Sequence, residues 1–331
     1  MKISVLGAGG WGTTLAILLH YNGHNVTLWE YKKSYAKELI KKHINTDYLP
    51  GIKIPKEIII TNDIDESTDD KNLIVLAVPS QFLRGVVKNI NYHKIEDAIL
   101  VSVSKGIEKN TLMTMSQLVK DIFPHISENQ FGVISGPSHA EEVSQRVPTA
   151  VVAASADIET SKTIQAAFMT SYFRIYASTD ILGVELGGAF KNIIAIGAGI
   201  IDGAGFGDNT KAAIMTRGVA EISRLGLAMG ARPETFAGLS GMGDLIVTCM
   251  SRHSRNRFVG EQIGKGKKLK QILKSMEQVA EGVETTRSAN QLASKIDIET
   301  PITNEVYKIL FEDKDPIKAT TDLMTRDMKT E

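Results

Sequence analysis

The first twenty residues constrain the fold of this 331-residue chain more than any other stretch. A short apolar run, 1–6, leads directly into Gly7-Ala8-Gly9-Gly10-Trp11-Gly12, and an apolar segment with helical periodicity follows. This spacing matches G-x-G-x-x-G, whose glycines make a tight turn, let the backbone approach a pyrophosphate, and pack the helix on the strand. The N–H groups that open such a helix favour an anion. The strand–turn–helix context predicts a dinucleotide site, with a tight turn that binds no ligand as the alternative.

The residue that follows the second predicted strand bears on which dinucleotide binds. Asn25–Trp29 is that strand, and Glu30 lies 18 residues after Gly12. An acidic residue at about this distance binds the ribose hydroxyls of NAD. Its charge repels the ribose phosphate of NADP, but Lys32 and Lys33 follow at once and can offset that repulsion. The residues suggest NAD without excluding NADP, and an ordinary exposed carboxylate is the alternative for Glu30.

The order of the apolar segments predicts two domains. After the second strand, strand-like runs occur at 58–61, 73–78, 98–103, 131–134, 149–154 and 172–176. Continuous apolar runs are typical of strands buried on both faces of a parallel sheet, and their alternation with helices predicts a doubly wound α/β domain of the Rossmann type over 1–178. Beyond it, long helical segments predict an all-α domain over 179–331. A chain of 331 residues also exceeds what one core usually serves.

The composition excludes several kinds of partner. Lys plus Arg and Asp plus Glu each number 38, so the chain lacks the basic excess on which general nucleic-acid or anionic-membrane binding depends. The one cysteine, Cys249, excludes an internal disulfide and is expected to be a small buried hydrophobic residue in a reducing compartment. The glycine turn begins too early for a signal peptide, and the longest apolar stretch, 193–201, is too short and too rich in glycine to span a membrane. We expect a soluble, cytoplasmic protein without membrane insertion, and no Cys/His spacing indicates a metal site.

Two polar segments follow predicted strands and are expected at the ligand-binding edge of the sheet. Ligands of open α/β sheets lie beyond the carboxyl ends of the strands. Lys105 follows the strand at 98–103 and is expected to point into the site rather than to lie on the surface. Gly136 and Ser138 follow the strand at 131–134, where small residues precede a helix and offer backbone N–H groups. The alternative is simply a capped helix start with Ser138 as its N-cap, and both can hold together.

The segment 181–201 is predicted to be a buried helix that something approaches closely. It is apolar on nearly every side, and each glycine inside a helix costs about 0.8–1 kcal/mol relative to alanine. The glycines of this segment are Gly183, Gly187, Gly188, Gly197 and Gly199. They predict close approach by another helix or by a ligand.

Charged residues in the second half are candidates for the chemistry. Lys191 lies within the apolar helix, where a charge is costly unless it is paired or functional. A lysine pKa, about 10.4 in water, falls on burial or beside another cation, which suits proton transfer, and a structural salt bridge is the alternative. Asp244, framed by glycines, is placed to hold a lysine ammonium. The basic stretch 251–257 is the best candidate for a phosphate clamp, with a solvated charge run as the alternative.

These stretches together resemble the bacterial NAD(P)-dependent glycerol-3-phosphate dehydrogenases over essentially the whole chain. Besides the glycine turn, the resemblance rests on the motifs at 104–107, 135–142, 185–192, 207–213, 241–245 and 254–256. Their combination is far more specific than any single motif. The resemblance implies reversible hydride transfer between NAD(P)H and C2 of dihydroxyacetone phosphate, in a crevice between the domains. The product, sn-glycerol 3-phosphate, supplies phospholipid synthesis in bacterial members of the family.

The resemblance also implies a role for each matching residue. Lys191 is implied as proton donor and acceptor at the C2 oxygen, with Lys105 and Asp244 completing the catalytic group. The implied substrate-binding residues are Lys105, Gly136, Ser138, Lys191, Asp244, Ser254, Arg255 and Asn256, with Arg255 on the phosphate. The positions implied for the cofactor are Gly10, Trp11, Lys105, Ala140, Arg255, Val279 and Glu281, which join Gly7, Gly9, Gly12 and Glu30.

The chain departs from the family pattern at one place, and two other functional classes stay open. Many bacterial members carry an arginine after the second strand for the NADP ribose phosphate, whereas this chain has Glu30-Tyr31-Lys32-Lys33. The small phosphorylated substrate is the reading of the resemblance, and a related two-domain dehydrogenase for a different hydroxy acid, phosphorylated or not, is one alternative. A non-enzymatic NAD sensor is the other, but it has no need for Lys191 in an apolar helix. The oligomeric state is not determined, and a homodimer is one option.

Overall fold

The structure is a computed structural model that describes residues 1–276, 278–328 and 330. Its residues group into two compact units. The first unit comprises Met1–Lys105 with Met113–Glu185, and the second comprises Gly106–Leu112 with Leu186–Glu331. The domain limits of 1–178 and 179–331 stay a prediction from the sequence.

The first unit is built on one eight-stranded sheet. Its strands are β1 (Lys2–Leu6), β2 (Asn25–Trp29), β3 (Ile59–Thr61), β4 (Leu73–Leu76), β5 (Ile99–Ser102), β6 (Phe131–Ser135), β7 (Thr149–Ser155) and β8 (Phe173–Ser178). Their order across the sheet is β3-β2-β1-β4-β5-β6-β7-β8. All neighbouring pairs are parallel except β6 and β7, which are antiparallel. This sheet confirms the predicted doubly wound α/β fold, and the antiparallel pair is a feature that the apolar runs did not reveal.

The central strands are buried on both faces because alternate residues enter opposite cores. In β4, Leu73 and Val75 belong to one hydrophobic cluster, whereas Ile74 and Leu76 belong to the other. Successive side chains of a strand point to opposite faces, so a continuous apolar run serves both. The helices of this unit are α1 (Gly10–Tyr21), α2 (Lys33–Lys42), α3 (Ile64–Thr68), α4 (Ser80–Val87), α5 (Met115–Ile122), α6 (Ala140–Ser144) and α7 (Ile158–Phe168).

The described residues of the second unit form helices joined by loops, without a strand, as the sequence predicted. Its helices are α8 (Ile181–Gly203, whose first residues belong to the first unit), α9 (Asp208–Ala228), α10 (Pro233–Ala237), α11 (Asp244–Met250), α12 (Arg255–Gly264), α13 (Leu269–Lys274), α14 (Glu281–Lys295), α15 (Pro301–Phe311) and α16 (Pro316–Met324). A π-helical turn, Leu239–Gly243, leads directly into α11.

Helix α12 makes the close approach that the glycines of α8 predicted. Gly199 and Gly203 of α8 face Gly260 and Gly264 of α12, and both pairs have the four-residue spacing that places residues on one face of a helix. A Cβ atom at any of the four would lie 1.9–2.4 Å from a backbone carbonyl oxygen of the opposite helix. The cost of glycine within these helices is therefore offset by direct contact of the two backbones.

Helix α8 also corrects one expectation about membranes. The apolar stretch at 193–201 is part of a 23-residue helix that is long and apolar enough, by length and composition alone, to cross a membrane. The expectation that this apolar stretch is too short to span a membrane is therefore wrong. All of its apolar window is buried inside the protein, as in the core helix of a soluble protein.

We expect Gly199→Ala to destabilise the fold by about 1–3 kcal/mol or more, because its Cβ would lie 2.0 Å from a backbone oxygen that cannot move independently. The matched control is Gly85→Ala in α4, where no heavy atom lies within 4 Å of the added Cβ. That change should stabilise the helix by roughly 0.5–1 kcal/mol. Denaturant unfolding of the two variants measures both effects, and equal midpoints would contradict the helix contact.

Candidate functional site

The glycine turn connects β1 to α1, and its glycines are required for different reasons. Gly7 has a φ of +116°, and a Cβ there would lie 2.7 Å from the backbone oxygen of Ala77. A Cβ on Gly12 would lie 1.9 Å from the oxygen of Gly7. Around Gly9, by contrast, no heavy atom lies within 4 Å of the Cβ position. The protein's own packing therefore explains Gly7 and Gly12, whereas the open side of Gly9 fits a ligand that approaches the backbone, as a pyrophosphate does.

The start of α1 is free of side-chain caps and is held next to the start of α6. Gly9 is the N-cap of α1 and no side chain caps it, so the first N–H groups suit an anion. Thr14 donates hydrogen bonds to the carbonyl oxygens of Gly10 (2.9 Å) and Ala140 (3.3 Å). Trp11 packs against Phe173, with 6.3 Å between ring centroids. Three of the positions implied for the cofactor, Gly10, Trp11 and Ala140, thus lie on two connected helix starts.

Glu30 stands at the end of β2 and is buried, so the alternative of an ordinary exposed carboxylate is wrong. Burial raises the pKa of Glu30 above its usual value, and hydrogen bonds from the backbone of Lys32 and Ala8 and the charge of Lys32 oppose that shift. The Lys32 N–H donates to the carboxylate at 2.8 Å. The Lys32 and Lys33 side chains are exposed. The carboxylate is thus anchored beside the glycine turn.

One carbonyl oxygen, that of Gly136, joins the segments that follow the neighbouring strands β5 and β6. Lys105 Nζ donates to the carbonyl oxygen of Gly136 at 3.1 Å, and Ser138 Oγ donates to the same oxygen at 3.0 Å. The Gly136 φ of +151° is one that glycine favours, and a Cβ would lie 2.8 Å from the Cα of Val151. The prediction that these residues share the carboxyl edge of the sheet is confirmed.

The alternative in which Ser138 caps the following helix is wrong. Helix α6 begins at Ala140, its N-cap is His139, and no side chain caps it. The Ser138 side chain is instead directed back towards Gly136, where its hydroxyl donates to the carbonyl oxygen at 3.0 Å.

Lys191 is buried within α8 and is held at two points by α11. Its Nζ lies 2.5 Å from Asp244 Oδ1 and 2.7 Å from Thr248 Oγ1. The side chains of Lys191 and Asp244 are only 8% and 1% exposed, so the pair is shielded from water. Burial opposes the ammonium charge, whereas the adjacent carboxylate favours it. The expected pairing of Asp244 with the lysine ammonium is confirmed.

The π-helical turn before α11 places Asp244 opposite Lys191. Gly187 lies one helical turn before Lys191, and a Cβ there would lie 2.7 Å from the carbonyl oxygen of Ser240. Ser240 in turn lies four residues before Asp244. Because Gly187 has no side chain, the π-helical turn packs directly against the α8 backbone. Asp244 and Lys191, each four residues further along its own segment, then come into contact. Single π turns of this kind occur frequently at functional sites.

The basic stretch 251–257 divides into residues with different surroundings. Ser254 is the N-cap of α12 and accepts a hydrogen bond from the Arg257 N–H at 3.1 Å. Arg257 is paired with Asp202 of α8, with 2.8 Å between Nε and Oδ2. Arg255 is exposed at the first position of α12, and among the residues that the structure describes its side chain makes no ion pair or hydrogen bond. Arg252 is exposed in the same way, but Arg255 also lies at the first position of a helix, whose N–H groups favour an anion, so it is the better placed of the two for an anionic ligand.

Asn256 joins three helices of the second unit. Its amide donates to Asn192 Oδ1 of α8 at 2.9 Å, and its Oδ1 accepts the N–H of Gly282 in α14 at 2.9 Å. Glu281 is the first residue of α14, and Val279, which is 43% exposed, lies just before it. The starts of α12 and α14, which carry Arg255, Val279 and Glu281, are thus held together by one buried amide.

The structure adds Thr248 to the site and shows that the neighbouring Cys249 is a buried residue. Thr248 was not singled out from the sequence, although it lies four residues after Asp244 and therefore on the same face of α11. Cys249 is buried, and burial raises the pKa of its thiol to about 12, so it behaves as a small hydrophobic residue. Within the described part of the chain, no three His, Cys, Asp or Glu side chains come together as metal ligands.

Comparison with known families follows the two halves of the chain. Residues 2–161 match the model of the NAD-dependent glycerol-3-phosphate dehydrogenase N-terminus, and residues 180–321 match that of its C-terminus. A glycerol-3-phosphate dehydrogenase [NAD(P)+] of Chlorobium phaeobacteroides is 52% identical over 331 residues, covering 100% of this chain and 99% of that protein. The protein of the same name from Syntrophotalea carbinolica is 50% identical with the same coverage.

Solved structures agree with the sequence comparison. A glycerol-3-phosphate dehydrogenase from Coxiella burnetii superimposes with a TM-score of 0.94 at 36% identity, over 98% of this chain and 99% of that chain. D-mandelate dehydrogenase with NADH has a TM-score of 0.60 at 12% identity, over 95% of this chain and 98% of that one. The second likeness shows a common fold alone.

Proposed function

This chain belongs to the NAD-dependent glycerol-3-phosphate dehydrogenase family, and on that premise we propose how its own residues carry out the reaction. It is an NAD(P)-dependent oxidoreductase that interconverts sn-glycerol 3-phosphate and dihydroxyacetone phosphate at a CH–OH group. The nicotinamide cofactor, when bound, supplies or accepts the hydride at substrate C2. The observation that carries the proposal is the buried Lys191 amine held 2.5 Å from Asp244.

We propose that Lys191 transfers the proton at the C2 oxygen. In reduction it protonates the developing alkoxide, and in oxidation it removes the hydroxyl proton. The Asp244 carboxylate orients the amine and favours its protonated form, which the reductive direction requires. Thr248 holds the same nitrogen from the next turn of α11, so the amine has a defined position within the site.

The phosphate of the substrate is assigned to the start of α12. The Arg255 guanidinium offers a planar fork that matches phosphate oxygens, and the helix start adds backbone N–H groups. Ser254 and Asn256 flank Arg255, and both are buried. The remaining substrate contacts that we propose are Lys105, Gly136 and Ser138, and the further cofactor contacts are Ala140, Val279 and Glu281.

Cofactor preference is proposed to depend on Glu30. Its buried carboxylate stands beside the glycine turn, where it accepts ribose hydroxyls and repels a ribose phosphate. The exposed Lys32 and Lys33 reduce that repulsion, so NADPH stays usable beside NADH. We further propose that the reductive direction supplies glycerol 3-phosphate for phospholipid synthesis.

The proposed function is tested by initial rates of dihydroxyacetone phosphate reduction with NADH and with NADPH. We expect turnover with NADH, because Glu30 favours a free ribose. Turnover with NADPH as well would assign Lys32 and Lys33 a role beside the ribose phosphate. Absence of turnover with both cofactors would overturn the substrate assignment and favour another hydroxy acid.

Lys191→Ala should bind NADH normally and lose turnover by about 10²–10⁴-fold, the usual contribution of a positioned proton donor. Thermal unfolding is measured alongside, since Asp244 loses its partner in a buried site and stability should fall. Tryptophan fluorescence reports NADH binding by the folded fraction. Near-normal turnover in this variant would contradict the assignment of Lys191.

Arg255→Ala should raise the KM for dihydroxyacetone phosphate by about ten- to a hundredfold, because a charge-assisted hydrogen bond to phosphate is lost. Arg252→Ala is the matched control. Arg252 is also exposed in the same basic stretch, and its side chain makes no ion pair or hydrogen bond with described residues. A KM that changes equally in both variants would show general charge attraction in place of a phosphate contact.

A further inference from the structure

A buried asparagine outside the sites described above forms a hydrogen bond to the glycine turn. Asn45 lies in the loop between α2 and β3 and is 0% exposed. Its amide NH₂ donates to the carbonyl oxygen of Ala8 at 2.8 Å and to the hydroxyl of Thr13 at 2.7 Å. Its Oδ1 accepts the Tyr35 O–H at 2.6 Å and the Tyr48 N–H at 3.1 Å. The four partners come from the glycine turn, α1, α2 and the loop itself.

These bonds use the full hydrogen-bonding capacity of the asparagine side chain, which has two donors and two acceptor sites. They also permit one orientation of the amide, because a flipped amide would set its NH₂ against the Tyr48 N–H and its oxygen against the Ala8 oxygen. A fully satisfied polar group in a buried setting specifies a single arrangement of the segments that it joins. The Ala8 carbonyl is therefore held in one direction.

The direction of that carbonyl determines where the next N–H points. The peptide bond between Ala8 and Gly9 is planar and trans, so the Gly9 N–H points away from the side on which Asn45 holds the Ala8 oxygen. Gly9 has open space at its Cβ position, which is the side that fits the pyrophosphate.

We propose that Asn45 is a positioning residue for the dinucleotide cofactor, which it serves by orienting the Ala8–Gly9 peptide without contacting the cofactor. This inference rests on the proposed use of the glycine turn for NAD(H). Tyr35 completes the arrangement by holding the amide oxygen of Asn45. Burial raises the pKa of Tyr35 to about 12, so its hydroxyl stays protonated and donates throughout the neutral range.

The test compares NADH binding by the wild-type protein and by Asn45→Asp at about pH 8. An ionised aspartate still accepts from Tyr35 and Tyr48 but cannot donate to Ala8. We expect the Kd for NADH to rise tenfold or more, with kcat and the KM for dihydroxyacetone phosphate near wild type at saturating NADH. Binding is followed through Trp11 and Trp29, the two tryptophans of the chain, so it does not depend on turnover. A loss of stability alone would not produce this separation of Kd from kcat.

The matched control is Asn22→Asp at the other end of α1, where the Asn22 amide donates to the Ala167 carbonyl oxygen at 2.8 Å. Its Kd for NADH should stay at the wild-type value. Should Asn45→Asp not fold, Tyr35→Phe decides, with an expected two- to fivefold rise in Kd. Wild-type affinity in the folded variants would overturn the proposal, whereas a wild-type protein that does not bind NADH would overturn the proposed function instead.

Discussion

Close contact between helix backbones is the constraint on which the second unit depends. Glycines allow the π-helical turn and α12 to rest directly on α8, at distances that any Cβ would prevent. Only this proximity brings Asp244 to within 2.5 Å of Lys191 and Arg257 to within 2.8 Å of Asp202. The charged pairs then compensate for the burial of charge along α8. The position and pairing of Lys191 therefore depend on the close packing against α8.

Because the chain has no net charge, the positions of individual charged groups determine where an anion can bind. Several buried charges have internal partners. Glu221 accepts the N–H groups of Ile302 and Thr303 at the start of α15, and Glu185 does the same for Ser116 at α5. Burial raises the pKa of both carboxyl groups, and these hydrogen bonds oppose the shift. Arg255, at an uncovered position of a helix start, is in contrast exposed to the solvent from which a phosphate would arrive.

Local patterns predicted most of the elements because their causes are local. The strand Asn25–Trp29 begins and ends where the sequence indicated, since polar residues bound it. The antiparallel direction of β7 and the capping of α6 were not visible, because they depend on which neighbours a segment meets. Ser138 illustrates this point: its type suits an N-cap, but its hydroxyl donates to the Gly136 carbonyl oxygen and no side chain caps α6.

The sequence alone determined the strand–turn–helix dinucleotide motif, the α/β and all-α halves, and Lys191 as a lysine in an apolar helix. Each of these rests on spacing along one segment, which folding does not change. Only the tertiary structure decided that Arg257 is used internally while Arg255 is exposed, and that Asn45 orients the glycine turn. Those properties belong to contacts between segments distant in sequence. Residue type and spacing do not encode which partner a side chain reaches, because that choice is made by the packing of the whole unit.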